Sequence, residues 1–329
     1  MRVLIWGDEP RHRLHRPKDS LSLPVEVTHC PMDAPWTELA SRDPGAQVLV
    51  TDASLPVTAE LMDSLPKLRL IHSDGVGYNP IDTAAARARG IDVCHCKGCN
   101  CDGVAEVAVM LMLILTRLSL PGHRAVIEGR QMEFKQWAMG SATPELGELT
   151  VGLVGLGDIA TATAKRLRPF GCRLLYYAPH RRPPQVEEAL GVAYRPLEEL
   201  AAQSDILSLH CAVTPETEGM VDEAFLAKMK PGAYLINTSR GQLMDNGAVR
   251  AALLSGHLAG AGFDTLWPEP TPGDHPLVAL PEELRDRVAY LPHLGGNTGP
   301  ALANAHRMVW DNIGRLVRGE PLRYIVNGP

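Results

Sequence analysis

The chain has 329 residues, 45% of them apolar and 21% charged, with a formal net charge of −6. That length suits two domains rather than one core, and the composition is that of an ordinary globular protein with no basic footprint for nucleic acid. The longest apolar run, 107–116, lies between Glu106 and Arg117 and is too short to span a bilayer, so no membrane partner is expected. Residues 1–7 lack the apolar stretch and small-residue cleavage site of a signal peptide, which makes cytoplasmic residence the default expectation.

Apolar strand-like runs alternate with helical ones along the chain, the pattern of doubly wound α/β structure. Residues 3–6, 25–29, 47–51, 68–72 and 92–96 form one series of expected strands. An apolar helix over 106–118 and an irregular stretch over 131–146 follow. A second series comprises 151–154, 173–177, 206–210, 234–237, 260–264 and 288–291. A last helix, at about 300–318, comes after the second series and can cross back onto the first domain. The expected division is therefore 1–99 with 295–329 for one domain and 100–294 for the other.

Within the second series, a short buried strand runs straight into Gly155-Leu156-Gly157-Asp158-Ile159-Ala160, a glycine turn that opens a helix. Gly155 permits the tight turn, Gly157 lets the backbone approach a pyrophosphate, and Ala160 keeps helix and strand close. The helix then directs its first amides at a phosphate pair. In that setting the motif points to a dinucleotide.

Cys94, Cys96, Cys99 and Cys101 cluster around His95 and superficially suggest a soft-metal site. Strand alternation throws Cys94 and Cys96 to one face and His95 to the other, and no second Cys or His pair follows nearby. They read as small buried hydrophobes, and no metal is expected. Cys30, Cys172 and Cys211 are isolated, which fits a reducing compartment.

Ligands of doubly wound sheets bind beyond the carboxyl ends of the strands. Arg240, the pair Asp264 and Glu269, and His293 all stand after such ends. A ketone under reduction needs a proton donor for the developing alkoxide, and a histidine paired with a carboxylate supplies one near neutral pH. Arginine suits bidentate capture of a carboxylate.

Over nearly its whole length the chain resembles the D-2-hydroxyacid dehydrogenase family. The matching motifs are Gly75-Val76-Gly77-Tyr78, 100–106, Gly155-Leu156-Gly157-Asp158-Ile159, Thr214-Pro215-Glu216-Thr217, Ser239-Arg240-Gly241, 260–264 and Pro292-His293. Residues 264–270, with His275-Pro276-Leu277, look most like its glyoxylate/hydroxypyruvate reductase branch. The resemblance implies a Rossmann cofactor domain plus a flavodoxin-like substrate domain with the active site in the cleft. It implies that Arg240 anchors the carboxylate and keto oxygen, that His293 is the general acid, and that Glu269 orients and charges it. The Val76 and Gly77 amides would cradle the carboxylate, a nest-like use of main-chain donors. Gly155, Gly157, Asp158, Ile159, Thr217, Thr238, Asp264 and His293 would line the cofactor, with Asp264 on the nicotinamide carboxamide. A homodimer, built partly on the helix containing 107–115, is also implied; from the residues alone that helix serves equally as a monomer's core.

Ala178 stands at the end of the second cofactor strand, where an NAD-selective site of this fold places an acid that hydrogen-bonds the ribose hydroxyls. His180, Arg181 and Arg182 follow at once, so NADPH is expected over NADH. Ala212 replaces a proline that the family usually carries, and Asn297 stands where alanine is common. Asp74 sets a carboxylate just before the Gly75–Gly77 turn, where a turn-capping side chain facing solvent is expected. The favoured reading is reduction of a small 2-oxoacid. The alternatives are oxidation of another small anionic donor, of formate or phosphite type, and a dinucleotide-sensing corepressor, against which the lack of long peptide-docking extensions argues.

Overall fold

The computed structural model describes residues 1–141 and 143–328. They form two compact units, Met1–Asn100 with Thr298–Pro329, and Cys101–Asn297.

The first unit holds a five-stranded parallel sheet of β1 (Arg2–Trp6), β2 (Glu26–Cys30), β3 (Val48–Thr51), β4 (Leu70–Ser73) and β5 (Asp92–Cys94), in the order β2-β1-β3-β4-β5. This is the flavodoxin-like winding. Parallel strands covered on both faces read as unbroken apolar runs, and every residue of β3 and β4 is buried. One face packs Leu4, Leu49 and Ile71 against Leu39 and Leu61. The other packs Val3, Ile5, Val48 and Leu70 against Val309, Trp310 and Ile313 of the helix Gly299–Arg318. That helix starts where Thr298 accepts from the Ala301 N–H and stops at Gly319 in the left-handed region.

The second unit holds a seven-stranded parallel sheet. Its strands are β6 (Thr150–Val154), β7 (Arg173–Tyr177), β8 (Val192–Tyr194), β9 (Ile206–Leu209), β10 (Ala233–Asn237), β11 (Leu258–Phe263) and β12 (Val288–Tyr290). The order β12-β11-β10-β9-β6-β7-β8 reverses between β6 and β9, the switch point where such sheets bind dinucleotides. Strands expected from the sequence are present to within two residues at either end. The edge strand β8, only three residues long, had no such signal.

Two helices differ from expectation. The apolar helix begins earlier, at Cys101–Thr116, and buries Leu111, Met112 and Leu115 in its own unit's core. It lies so close to β11 that a Cβ on Gly262 would come within 3.0 Å of the Leu111 Cβ. The stretch expected to be irregular contains a helix, Gln131–Gly140, which buries none of its residues and therefore carries no core-facing apolar pattern. No single helix among the described residues is long and apolar enough to cross a membrane.

Candidate active site

The glycine turn is built at the switch point. Gly155 has φ +104°, and a Cβ there would lie 2.8 Å from the His210 carbonyl oxygen at the end of β9, so only glycine fits. Gly157, at the N-cap of the helix Asp158–Leu167, has open space where its Cβ would stand. No side chain caps this helix, so its first-turn N–H groups, from Asp158 and Ile159 onward, are left for an external acceptor. Asp158 is exposed. Ala160 is fully buried, as close helix–strand packing requires.

Ala178 is buried at the end of β7, and His180, Arg181 and Arg182 are exposed beyond it. The two arginines are not equivalent. Arg181 donates from Nε and Nη2 to the two carboxylate oxygens of Glu187, both at 2.8 Å. Its guanidinium carbon also lies 5.6 Å from the Tyr194 ring centre. Glu187 accepts the Tyr176 hydroxyl as well, at 2.7 Å, and these partners pull its carboxyl down to about 2. Arg182 instead donates Nη2 to the Leu156 carbonyl, inside the glycine turn, at 2.8 Å, and its N–H binds the Tyr176 hydroxyl oxygen. The sequence offered both arginines to a phosphate. The structure commits Arg181 to Glu187 and brings only Arg182 to the turn, because Glu187 comes from the following helix, Pro184–Leu190.

Arg240 follows β10. Asn237 accepts the Ser239 N–H and donates to the Arg240 carbonyl, which fixes the loop. A Cβ on Gly241 would lie 2.3 Å from the Leu266 carbonyl carbon, so this loop and the one carrying Trp267 are in backbone contact. Burial lowers the Arg240 guanidinium below its ordinary value, opposed by the charge of Glu269. His293 Nδ1 faces the Glu269 carboxylate at 2.8 and 3.1 Å, which assigns the N–H to Nδ1 and leaves Nε2 for a substrate oxygen. His293 itself has φ +55°. It is held there by Asp264, whose carbonyl accepts the His293 N–H at 2.9 Å and whose carboxylate accepts the Leu294 and Gly295 N–H groups at 2.8 and 2.9 Å. The resemblance gave Asp264 a cofactor contact; its carboxylate here holds the histidine loop and has lone pairs to spare. Asn297 closes the same loop through its N–H to Leu294 O. His275, buried, sits with Nε2 3.0 Å from the Trp267 carbonyl and braces the Glu269 segment, a role that its place in the His275-Pro276-Leu277 motif did not reveal.

Thr217 Oγ1 donates to the Ala212 carbonyl at 2.8 Å and accepts the Thr214 N–H, shaping the loop after β9. Thr238 Oγ1 is buried and has no partner among the described residues. Uncapped helix amides, open space at Gly157 and this orphaned hydroxyl are what a dinucleotide would satisfy. The residues fit the group.

In the first unit, the Gly75–Gly77 loop follows β4. The Gly75 carbonyl accepts the Cys96 N–H, the Val76 carbonyl faces His95 Nδ1 at 2.8 Å, and the Gly77 carbonyl accepts the Ser73 hydroxyl at 2.6 Å. With the carbonyls taken, the Val76 and Gly77 N–H groups have no partner among the described residues. Asp74 is not a solvent-facing cap. It is buried, with Oδ2 accepting from Arg11 Nη2 at 2.6 Å. Cys94 and Cys96 are fully buried in the core, and the Cys96 thiol points at the Ser73 and Ala305 carbonyls. Among the described residues no group of three or more His, Cys, Asp or Glu is placed to hold a metal ion.

Comparison with known proteins bears on the family and the fold. Residues 109–295 match the family described as D-isomer specific 2-hydroxyacid dehydrogenase, NAD binding domain. A glyoxylate reductase of Korarchaeum cryptofilum is 35% identical over 327 residues, 99% of this chain and 96% of the relative. A mitochondrial formate dehydrogenase of Solanum tuberosum is 35% identical over 291 residues, 88% of this chain and 74% of the relative. The crystal structure of a glyoxylate reductase from Paecilomyes thermophila superposes with a TM-score of 0.85 at 27% identity, covering 99% of this chain and 98% of the other. The chain belongs to the D-isomer specific 2-hydroxyacid dehydrogenases, NAD-dependent oxidoreductases that act on CH–OH groups.

Proposed function

We propose that this protein reduces a small 2-oxoacid of glyoxylate or hydroxypyruvate type to the D-2-hydroxyacid, using NADPH in preference to NADH. The observation that carries the reading is the His293–Glu269 pair, with Nδ1 engaged and Nε2 free. The bound nicotinamide supplies the hydride. Arg240 and the Val76 and Gly77 amides hold the carboxylate, and the Arg240 charge polarises the keto oxygen. His293 delivers its Nε2 proton to the alkoxide as it forms, while Glu269 stabilises the imidazolium that precedes delivery. Gly155, Gly157, Asp158, Ile159, Thr217, Thr238 and Asp264 line the dinucleotide, with Ala178, His180 and Arg182 at its adenosine ribose.

Formate oxidation is the second reading, favoured by the potato relative. Hydride loss from formate yields carbon dioxide with no oxyanion to protonate, so the His293–Glu269 pair would have no proton to deliver there. The test is a steady-state panel of glyoxylate, hydroxypyruvate, pyruvate, formate and phosphite with each nicotinamide cofactor. Reduction of a 2-oxoacid, faster with NADPH, is expected. Formate or phosphite oxidation without 2-oxoacid reduction overturns the reading.

A homodimer and a cytoplasmic location belong to the same proposal. The helices Ser119–Ile127 and Gln131–Gly140 leave Val126, Ile127, Met132, Trp137 and Met139 more than half exposed, an apolar surface that a second copy would cover. The cysteines are all free, as a reducing compartment keeps them.

A further inference from the structure

Asp74 puts a carboxylate next to amides that are proposed to receive an anion. Its surroundings answer that conflict. The Asp74 N–H is pinned to the Thr51 carbonyl at 2.9 Å, so the residue cannot swing away with the loop. Its Oδ2 accepts from Arg11 Nη2 at 2.6 Å, and the same nitrogen reaches Asp52 Oδ2 at 3.1 Å. Asp52 is held in turn by the N–H and hydroxyl of Ser54. His12, on the same helix as Arg11, places Nε2 3.3 Å from the same Asp74 oxygen, and its Nδ1 lies 3.1 Å from Nε2 of His306. His306 is kept below its ordinary value, at about 4, mainly by burial. The groups facing Asp74 are therefore one permanent cation, one histidine backed by a second, and the carboxylate of Asp52.

We propose that Arg11 is a positioning residue for the substrate site: by anchoring Asp74 and offsetting its charge it lets the Val76 and Gly77 N–H groups receive an anionic 2-oxoacid against less opposing charge. The inference rests on the reading that these amides hold the substrate carboxylate. One uncompensated charge within roughly 7 Å, at an effective dielectric constant of about 20, changes an anion's affinity by about fiftyfold, and salt screening brings this to roughly tenfold.

The test is the KM for glyoxylate and hydroxypyruvate in Arg11→Ala, Asp74→Asn and the double variant, with the dissociation constants of NADPH and NADH measured in parallel. Arg11→Ala should raise KM roughly tenfold and leave cofactor binding unchanged. Asp74→Asn alone should lower KM several-fold, because Arg11 and Asp52 then balance and the cluster loses its net negative charge. The double variant should return KM to within about threefold of the parent, which no loss of packing would do. Should Arg11→Ala fail to fold, Asp74→Asn still decides by the sign of its KM change, and Arg11→Lys should fold and keep KM within a few-fold. An unchanged KM in Arg11→Ala, a raised KM in Asp74→Asn, or no rescue in the double variant overturns the proposal. A parent enzyme that reduces no 2-oxoacid instead overturns the reading beneath it.

Discussion

The two arginines after β7 should separate in a cofactor assay. Arg182 reaches the glycine turn at the Leu156 carbonyl with one N–H, which leaves most of its guanidinium donors for a 2′-phosphate at the end of β7. A charge-assisted hydrogen bond of that kind is worth about 1.5–3 kcal/mol, or roughly ten- to a hundredfold in an equilibrium constant. Arg182→Ala should lose that factor in kcat/KM with NADPH and change NADH by less than about threefold. Arg181 can join only by leaving a bidentate carboxylate, and Glu187 holds the rest of its own valence through Tyr176. Arg181→Ala should therefore cost little with either cofactor. The measurement is kcat/KM for both cofactors in the parent and the two variants, at one ionic strength. A parent that uses NADH better would refute the preference. Equal NADPH losses in Arg181→Ala and Arg182→Ala would refute the division of labour.

Replacing His293 with alanine should lower kcat roughly a hundred- to ten-thousandfold while cofactor affinity, read by nicotinamide fluorescence, stays near that of the parent; turnover within a few-fold of the parent excludes it as the acid. Glu269→Gln should shift a limb of the kcat/KM pH profile, and an unmoved profile removes Glu269 from the proton step. His72, His210 and His306 are each held at about 4 by burial, well below the ordinary value of 6.5. Between those values the unfolded chain binds protons that the folded chain does not, so stability should be level above about pH 6.5 and fall as pH drops toward 4. A melting temperature that is flat or rises on acidification through that window would contradict the assignment.

What the sequence made visible follows from burial. Strands such as β3 and β4, covered on both faces, write themselves as continuous apolar runs, and the glycine turn shows because Gly155 alone tolerates the His210 carbonyl. The helix Gln131–Gly140 was invisible because it buries none of its residues, so no core-facing apolar stripe marks it. His293 and Glu269 were legible as types placed after strand ends, whereas their support was not. The Asp264 carboxylate closing on two amides, Glu187 capturing Arg181, and Arg11 reaching Asp74 from 63 positions away are pairings that only the folded chain creates.

The close approach of the helix Cys101–Thr116 to β11 constrains how this scaffold can change. At Gly262 the obstacle is a side chain, since an added methyl would meet the Leu111 Cβ at 3.0 Å. Every residue but glycine carries that Cβ, so volume gained at position 262 can be surrendered only by glycine at position 111, and the two sites form one mutational unit. At Gly260 the nearest obstacle is the Arg287 carbonyl oxygen, 2.6 Å away, and backbone has no smaller substitute to offer. Of two glycines on the same strand, one can be traded and the other has no counterpart with which to trade.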